Sequence, residues 1–278
     1  MNLMRFDHAP SRALATTTEF HWVSSGDDRL ATSIDRPVDL DATPVVVLVH
    51  GFSGHRIGRS YHFVELGRTL AAHGVACVRF DQAGCGESSG DQTKYGLASI
   101  RRDCLSIYDW IMQDDRFEHD RFAIIGSSQG SLGAIMLDAE HPSAGVALWA
   151  PVFDLPRLVR GKMEAMDVEA IRAEFGFAPY RGVRLGGEYF DQLDLVNPRD
   201  LIGARQSPMF IVHSREDPVV PFDDGAEFAK TCREVGRACE FAPLEADAHD
   251  FFEEPLRSKV IGLTTRWISK RLRLSRPH

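Results

Sequence analysis

Cysteine is scarce in this chain of 278 residues, and the five that occur are odd in number and widely spaced. That pattern excludes a disulfide framework, and the lack of C-x-x-C pairs and of clustered histidines excludes a metal site of the zinc type. No stretch of about 18 apolar residues occurs, so no transmembrane helix is expected. The segment Met1–Phe20 carries Asp7, His8, Pro10 and Arg12 and has no apolar run of signal-peptide character. A cytoplasmic location is the expectation that follows. A net charge of −8, with no basic block inside the chain, argues against nucleic acid or an anionic membrane as partner. Lys270, Arg271, Arg273 and Arg276 make the tail locally basic, which reads as a helix end whose cations face the negative pole. G-x-G-x-x-G and a Walker lysine are both missing, so a nucleotide site is a poor reading. No internal repeat or low-complexity segment is visible.

What is present is ordinary globular composition, 44% apolar and 26% charged, at a length that fits one large α/β domain with a modest insertion. Phe20–Ser24 and Leu30–Ile34 flank the turn residues Gly26-Asp27-Asp28 and predict a hairpin. Val45–Val49 is a continuous apolar run dominated by β-branched residues, expected of a strand buried on both faces. Helix and strand signals then alternate: helix Phe63–Ala72, strand Val75–Phe80, helix Leu97–Met112, strand Phe122–Ile125, helix Ser131–Glu140, strand Val146–Trp149. From Pro151 to Pro208 the pattern is mixed, and no strand is predicted there. It resumes with strand Met209–Val212, helix Gly225–Val235, strand Cys239–Pro243 and helix Leu256–Leu272. Such alternation predicts a mostly parallel sheet with helices on both faces. The interruption predicts a small inserted cap over 153–197, with the α/β core formed by 1–152 and 198–278.

The strongest local signal is Gly126-Ser127-Ser128-Gln129-Gly130, a G-x-S-x-G between a predicted strand and a predicted helix. In that context the glycines permit a sharp turn that exposes the central hydroxyl at a helix N-terminus, which makes Ser128 a candidate nucleophile. Ser127 reads as a small residue tolerated by packing. A serine hydroxyl needs a base, and around such an elbow the partners follow in the order serine, acid, histidine. Among the downstream histidines, His141 lies too near the end of the nucleophile helix and His278 is the terminus. His213 ends a strand and reads as structural, whereas His249 sits in a loop between the last strand and the last helix. Asp217 follows the strand Met209–Val212 and is the candidate acid, with Glu216 and Asp247 as rivals. Two backbone donors are expected for an oxyanion: the N–H of Gln129, and that of Phe52 in His50-Gly51-Phe52-Ser53-Gly54. Asp81–Ser88 reads as a second tight turn, where Cys85 has no adjacent cation or base to make a thiolate.

His50-Gly51, the Asp81–Ser88 turn, the Gly126–Gly130 elbow, Asp217 with Val219-Val220-Pro221, and Asp247-Ala248-His249 together resemble the α/β-hydrolases from Pro44 to Leu272. Within that superfamily the chain is similar to the bacterial cinnamoyl/feruloyl esterases and the serine aminopeptidase-like hydrolases. Leu185-Gly186-Gly187-Glu188-Tyr189, followed by Asp194-Leu195 and Asn197-Pro198, resembles the end of their small cap. The resemblance implies triad roles for Ser128, Asp217 and His249 and oxyanion-hole roles for Phe52 and Gln129. It departs at Ser127, Ser131, Gln82 and Cys85, which bear on the pocket wall and so on the substrate.

The expectation from sequence is therefore a serine-dependent carboxylesterase that forms an acyl-enzyme, needs no cofactor and takes a small-molecule ester as its partner. The same residues would serve a peptidase, thioesterase or acyltransferase, and a non-catalytic binding protein on this scaffold is the reading from another class. Phe175, Phe177, Tyr180, Tyr189 and Phe190, with Arg181, Arg184 and Glu188, are expected to furnish the cap and to favour a compact acyl group.

Overall fold

The computed structural model describes residues 13–194 and 196–274. Most of the N-terminal segment read for a leader, Leu195 of the cap-return segment, Arg276 and His278 lie outside the described residues. Among the described residues eight strands form one sheet in the order β1-β2-β4-β3-β5-β6-β9-β10. These are β1 (Thr16–Ser25), β2 (Asp28–Pro37), β3 (Thr43–Val49), β4 (Ala76–Phe80), β5 (Phe117–Ser127), β6 (Val146–Trp149), β9 (Met209–Ser214) and β10 (Cys239–Leu244). β1, β2 and β4 pair antiparallel; from β4 through β3, β5, β6 and β9 to β10 every pairing is parallel. This is the α/β-hydrolase fold.

The run Val45–Val49 is apolar throughout because both of its faces are covered. Val45, Val47 and Val49 join a core with α2 (Leu97–Ile111), α3 (Gly130–Glu140) and α8 (Phe222–Glu234), through Ile100, Leu132 and Phe228. Val46 and Leu48 point the other way, into a core with Leu66 and Leu70 of α1 (His62–Ala72) and Val260 and Ile268 of α9 (Leu256–Leu274). A period of two along each strand therefore feeds two cores. The parallel strands all end on one edge, the place where the loops of such sheets collect functional groups.

Several boundaries differ from the sequence reading. The N-terminal hairpin is longer than predicted, and Asp28 pairs with Ser25 as a strand residue instead of lying in the turn. Phe20 and Trp22 stand on the outward face of β1, 73% and 55% exposed, so β1 extends well beyond its apolar residues. The segment between β6 and β9 holds α4 (Leu155–Met163), α5 (Val168–Phe175), α6 (Gly187–Asp191) and α7 (Pro198–Gly203). It also holds a strand pair that the sequence reading omitted, β7 (Ala178–Tyr180) with β8 (Val183–Leu185), turning at Arg181-Gly182. Strands of three residues are too short for periodicity to mark them in the sequence; the turn and the burial of Ala178, Val183 and Leu185 in the core hold this pair. Asp154 and Asp167 cap α4 and α5 by accepting the N–H of Arg157 at 2.9 Å and of Ala170 at 3.0 Å.

Candidate active site

Ser128 leaves the carboxyl end of β5 with φ of 52°, a left-handed conformation rarely held by a residue with a side chain. Three bonds fix it there: its N–H donates to the Trp149 carbonyl at 2.8 Å, and the carbonyls of Ser128 and Gln129 accept from Ser131 and Leu132 as α3 begins. The strain thus lies on the serine, while the flanking glycines serve close approach. A Cβ on Gly130 would lie 2.3 Å from the Val49 carbonyl oxygen, and one on Gly126 would lie 2.7 Å from Cβ of Ala134. Glycine is required because β3, β5 and α3 meet at van der Waals distance.

His249 lies in the loop after β10 and places Nε2 2.9 Å from Oγ of Ser128. Its Nδ1 is 2.8 Å from Oδ2 of Asp217, in the loop after β9. The other carboxylate oxygen, Oδ1, accepts the N–H groups of Val219 at 2.8 Å and Val220 at 2.9 Å. Burial works to raise the Asp217 carboxyl. Hydrogen bonds from His213 and His249, attraction to His249 and the Val219 N–H outweigh it and hold the group well below the usual carboxylate range. The rival acids fall outside this row. Glu216 points to solvent, and Asp247 is exposed at the rim of the cavity. His141 stacks on Tyr108 at 3.9 Å between ring centroids, at the far end of α3.

The loop after β3 brings Phe52 beside the elbow, and Phe52, Ser128, Gln129 and His249 line one cavity of about 630 Å³. The sequence reading missed the residues that hold this loop. The backbone N–H of Gln82 donates to Nε2 of His50 at 3.0 Å, so the ring hydrogen sits on Nδ1 and donates to the Gly51 carbonyl at 2.8 Å. The Gln82 side-chain amide donates to the His50 carbonyl at 2.7 Å. Arg56, 8% exposed, is paired with Asp81 and Glu87, and its Nε donates to Oγ of Ser33 at 3.2 Å. The Asp81–Ser88 turn is therefore a brace under the Phe52 loop. Burial, then Asp81 and Asp103, push the Cys85 thiol up to about 12, so it stays protonated.

Tyr180 and Tyr189 also line the cavity, and the Phe52 ring lies 5.8 and 5.9 Å from theirs. The Tyr189 hydroxyl and the Gln129 side-chain oxygen are 3.2 Å apart, joined by a hydrogen bond that the tyrosine donates. The other aromatics expected of the cap, Phe175, Phe177 and Phe190, do not line the cavity. Phe175 is 58% exposed, Phe177 lies under Arg184, and Phe190 packs edge-on against Tyr189 beneath Arg172. Leu155, Leu158, Val159 and Met163 supply an aliphatic wall instead, while Lys162 and Arg181 add cations. Among the described residues no group of His, Cys, Asp or Glu is placed to hold a metal ion, and no helix is long and apolar enough to cross a membrane.

Comparison with known proteins agrees with this fold. The family model described as serine aminopeptidase, S33, matches residues 41–174. Lysophosphatidylserine lipase ABHD12 of Danio rerio is 28% identical over 216 residues, which is 73% of this chain and 52% of that protein. The chain thus spans about half the length of the curated lipases it matches. An Escherichia coli protein known as the uncharacterized 31.7 kDa protein in the traX-finO intergenic region is 23% identical over 272 residues, covering 82% of this chain and 91% of that one. Est1E from Butyrivibrio proteoclasticus, solved with ferulic acid bound, superposes with a TM-score of 0.72 at 22% identity, covering 92% of this chain and 98% of that one. The chain shares the fold of the α/β-hydrolases.

Proposed function

We propose that the protein is a serine-dependent carboxylic ester hydrolase. The observation that carries this reading is the continuous row from Ser128 Oγ through both nitrogens of His249 to Asp217. Ser128 attacks the ester carbonyl while His249 takes the hydroxyl proton, and Asp217 keeps the imidazole hydrogen on Nδ1 and stabilises the imidazolium. The N–H groups of Phe52 and Gln129 bind the oxygen that becomes negative, the second at the start of α3 where the helix dipole adds to it. His249 then protonates the leaving alcohol, and water hydrolyses the acyl-enzyme. None of these steps draws on a cofactor. The reading places the protein in the cytoplasm acting on a small-molecule ester, with neither nucleic acid nor membrane as partner.

For the acyl group we favour a compact, planar or short chain. Tyr180 and Phe52, both half-buried, offer ring surface in the cavity that holds Ser128, while Tyr189 is buried against Phe52. A long alkyl chain in the same cavity would run past the Arg181 guanidinium without partnering it. The test is kcat/KM on methyl ferulate, p-nitrophenyl butyrate, p-nitrophenyl palmitate, a thioester and an aminoacyl amide. The two compact esters should lead. Palmitate ahead by more than about tenfold, roughly 1.4 kcal/mol in the transition state, contradicts the acyl assignment. A lead for the amide or thioester contradicts the ester one.

A further inference from the structure

His213 is buried at the end of β9 and takes no part in the steps above, yet it lies against the acid. Its Nε2 is 3.1 Å from the Val220 carbonyl and 3.4 Å from Oδ2 of Asp217. A carbonyl only accepts, so Nε2 carries the ring hydrogen. Nδ1 has no hydrogen-bond partner among the described residues. It is walled in by α8, where a Cβ on Gly225 would come within 2.5 Å of it, and by the edge-on ring of Phe222 at 5.9 Å. A buried nitrogen without a partner is a cost that an aliphatic residue at the end of this strand would avoid. The ring has one polar edge in use, and that edge faces the loop carrying Asp217.

The backbone of Val220 is held at both its N–H and its carbonyl. Its N–H donates to Oδ1 of Asp217 at 2.9 Å, and its carbonyl accepts from His213 at 3.1 Å. With Oδ1 occupied by Val219 and Val220, only Oδ2 is left to face His249, and His213 flanks that oxygen. We propose that His213 is a positioning residue for the reaction, fixing the Val219–Val220 turn and the Asp217 carboxylate in the orientation that meets Nδ1 of His249. The inference rests on the ester hydrolase reading and adds to it a residue that touches neither substrate nor the reacting atoms.

Two substitutions separate positioning from packing. His213→Leu keeps the apolar bulk and removes the donor, while His213→Gln can carry an amide N–H to the place of Nε2. With p-nitrophenyl butyrate, His213→Leu should lose roughly ten- to a hundredfold in kcat, the effect of one hydrogen bond near a charged group, with KM unchanged. His213→Gln should recover most of that loss. In an Asp217→Asn background the same His213→Leu change should cost almost nothing, because the carboxylate it orients is gone. A folded His213→Leu enzyme with kcat within about twofold of the parent overturns the inference, as does an undiminished loss in the Asp217→Asn background. Should His213→Leu fail to fold, His213→Gln is compared with His213→Asn, whose amide stops one methylene short of Nε2. Higher kcat for Gln supports positioning, and equal kcat overturns it. A parent enzyme inactive on every ester overturns the hydrolase reading and this inference together; an active parent with an indifferent residue 213 overturns the inference alone.

Discussion

Gly51 and Ser128 are so close that a Cβ built on the glycine would lie 2.8 Å from Cβ of the serine and 3.4 Å from its Oγ. The loop that carries the proposed oxyanion donor Phe52 thus rests directly on the elbow that carries the proposed nucleophile. Gly51→Ala should force the two apart, because the Ser127 carbonyl at 3.0 Å blocks the other escape. A shift approaching 1 Å costs about 10²-fold in rate, so kcat should fall by that order while KM changes little. Steady-state kinetics beside a thermal melt checks this; an alanine variant as active as the parent would show that the loop yields freely.

Asp217→Asn should lower kcat by about 10⁴-fold, since an amide holds the imidazole in the wrong tautomer. Glu216→Gln and Asp247→Asn should each stay within about threefold of the parent, because neither side chain reaches His249 and both face solvent. Comparable losses in all three would detach the acid role from Asp217.

Acid should destabilise the fold in a defined window. His62 is packed against Phe63 and Trp149, and burial pushes its imidazole from 6.5 down to about 4. The folded value lies below the unfolded one, so the stabilisation from a neutral His62 is complete above about pH 6.5 and is lost as pH falls toward 4. His50 is also pushed down by burial and acts in the same direction. Each site contributes at most about 1.4 kcal/mol per pH unit. His62→Gln should melt lower than the parent at pH 7, with the gap narrowing by pH 4.5. A constant gap across that range would place the proton uptake elsewhere.

The parts of this molecule that were legible in the sequence are those where one physical demand dominates. Val45–Val49 must be apolar on both faces, and its composition says so directly. The spacing of Gly126 and Gly130 marks the elbow, although its cause is contact with Val49 and Ala134 instead of backbone freedom. What stayed hidden depends on residues distant in the chain. His213 reads as an ordinary strand-end histidine until β9 folds its ring edge onto Val220 and Asp217. Gln82 shows no signal for its bonds to His50, and Arg56 none for its pairing with Asp81. The β7–β8 pair is too short for periodicity, and aromatic content alone did not separate Tyr180 and Tyr189, which line the cavity, from Phe175, which faces solvent.

The most direct measurement is kcat of Ser128→Ala against Ser127→Ala on p-nitrophenyl butyrate, with fluorophosphonate labelling of the parent mapped by peptide mass. The account predicts label on Ser128, a loss of about 10⁶-fold or to the detection limit in Ser128→Ala with its melt nearly unchanged, and a Ser127→Ala enzyme that still turns over. Label on Ser127, or an active Ser128→Ala enzyme beside a dead Ser127→Ala, would contradict it.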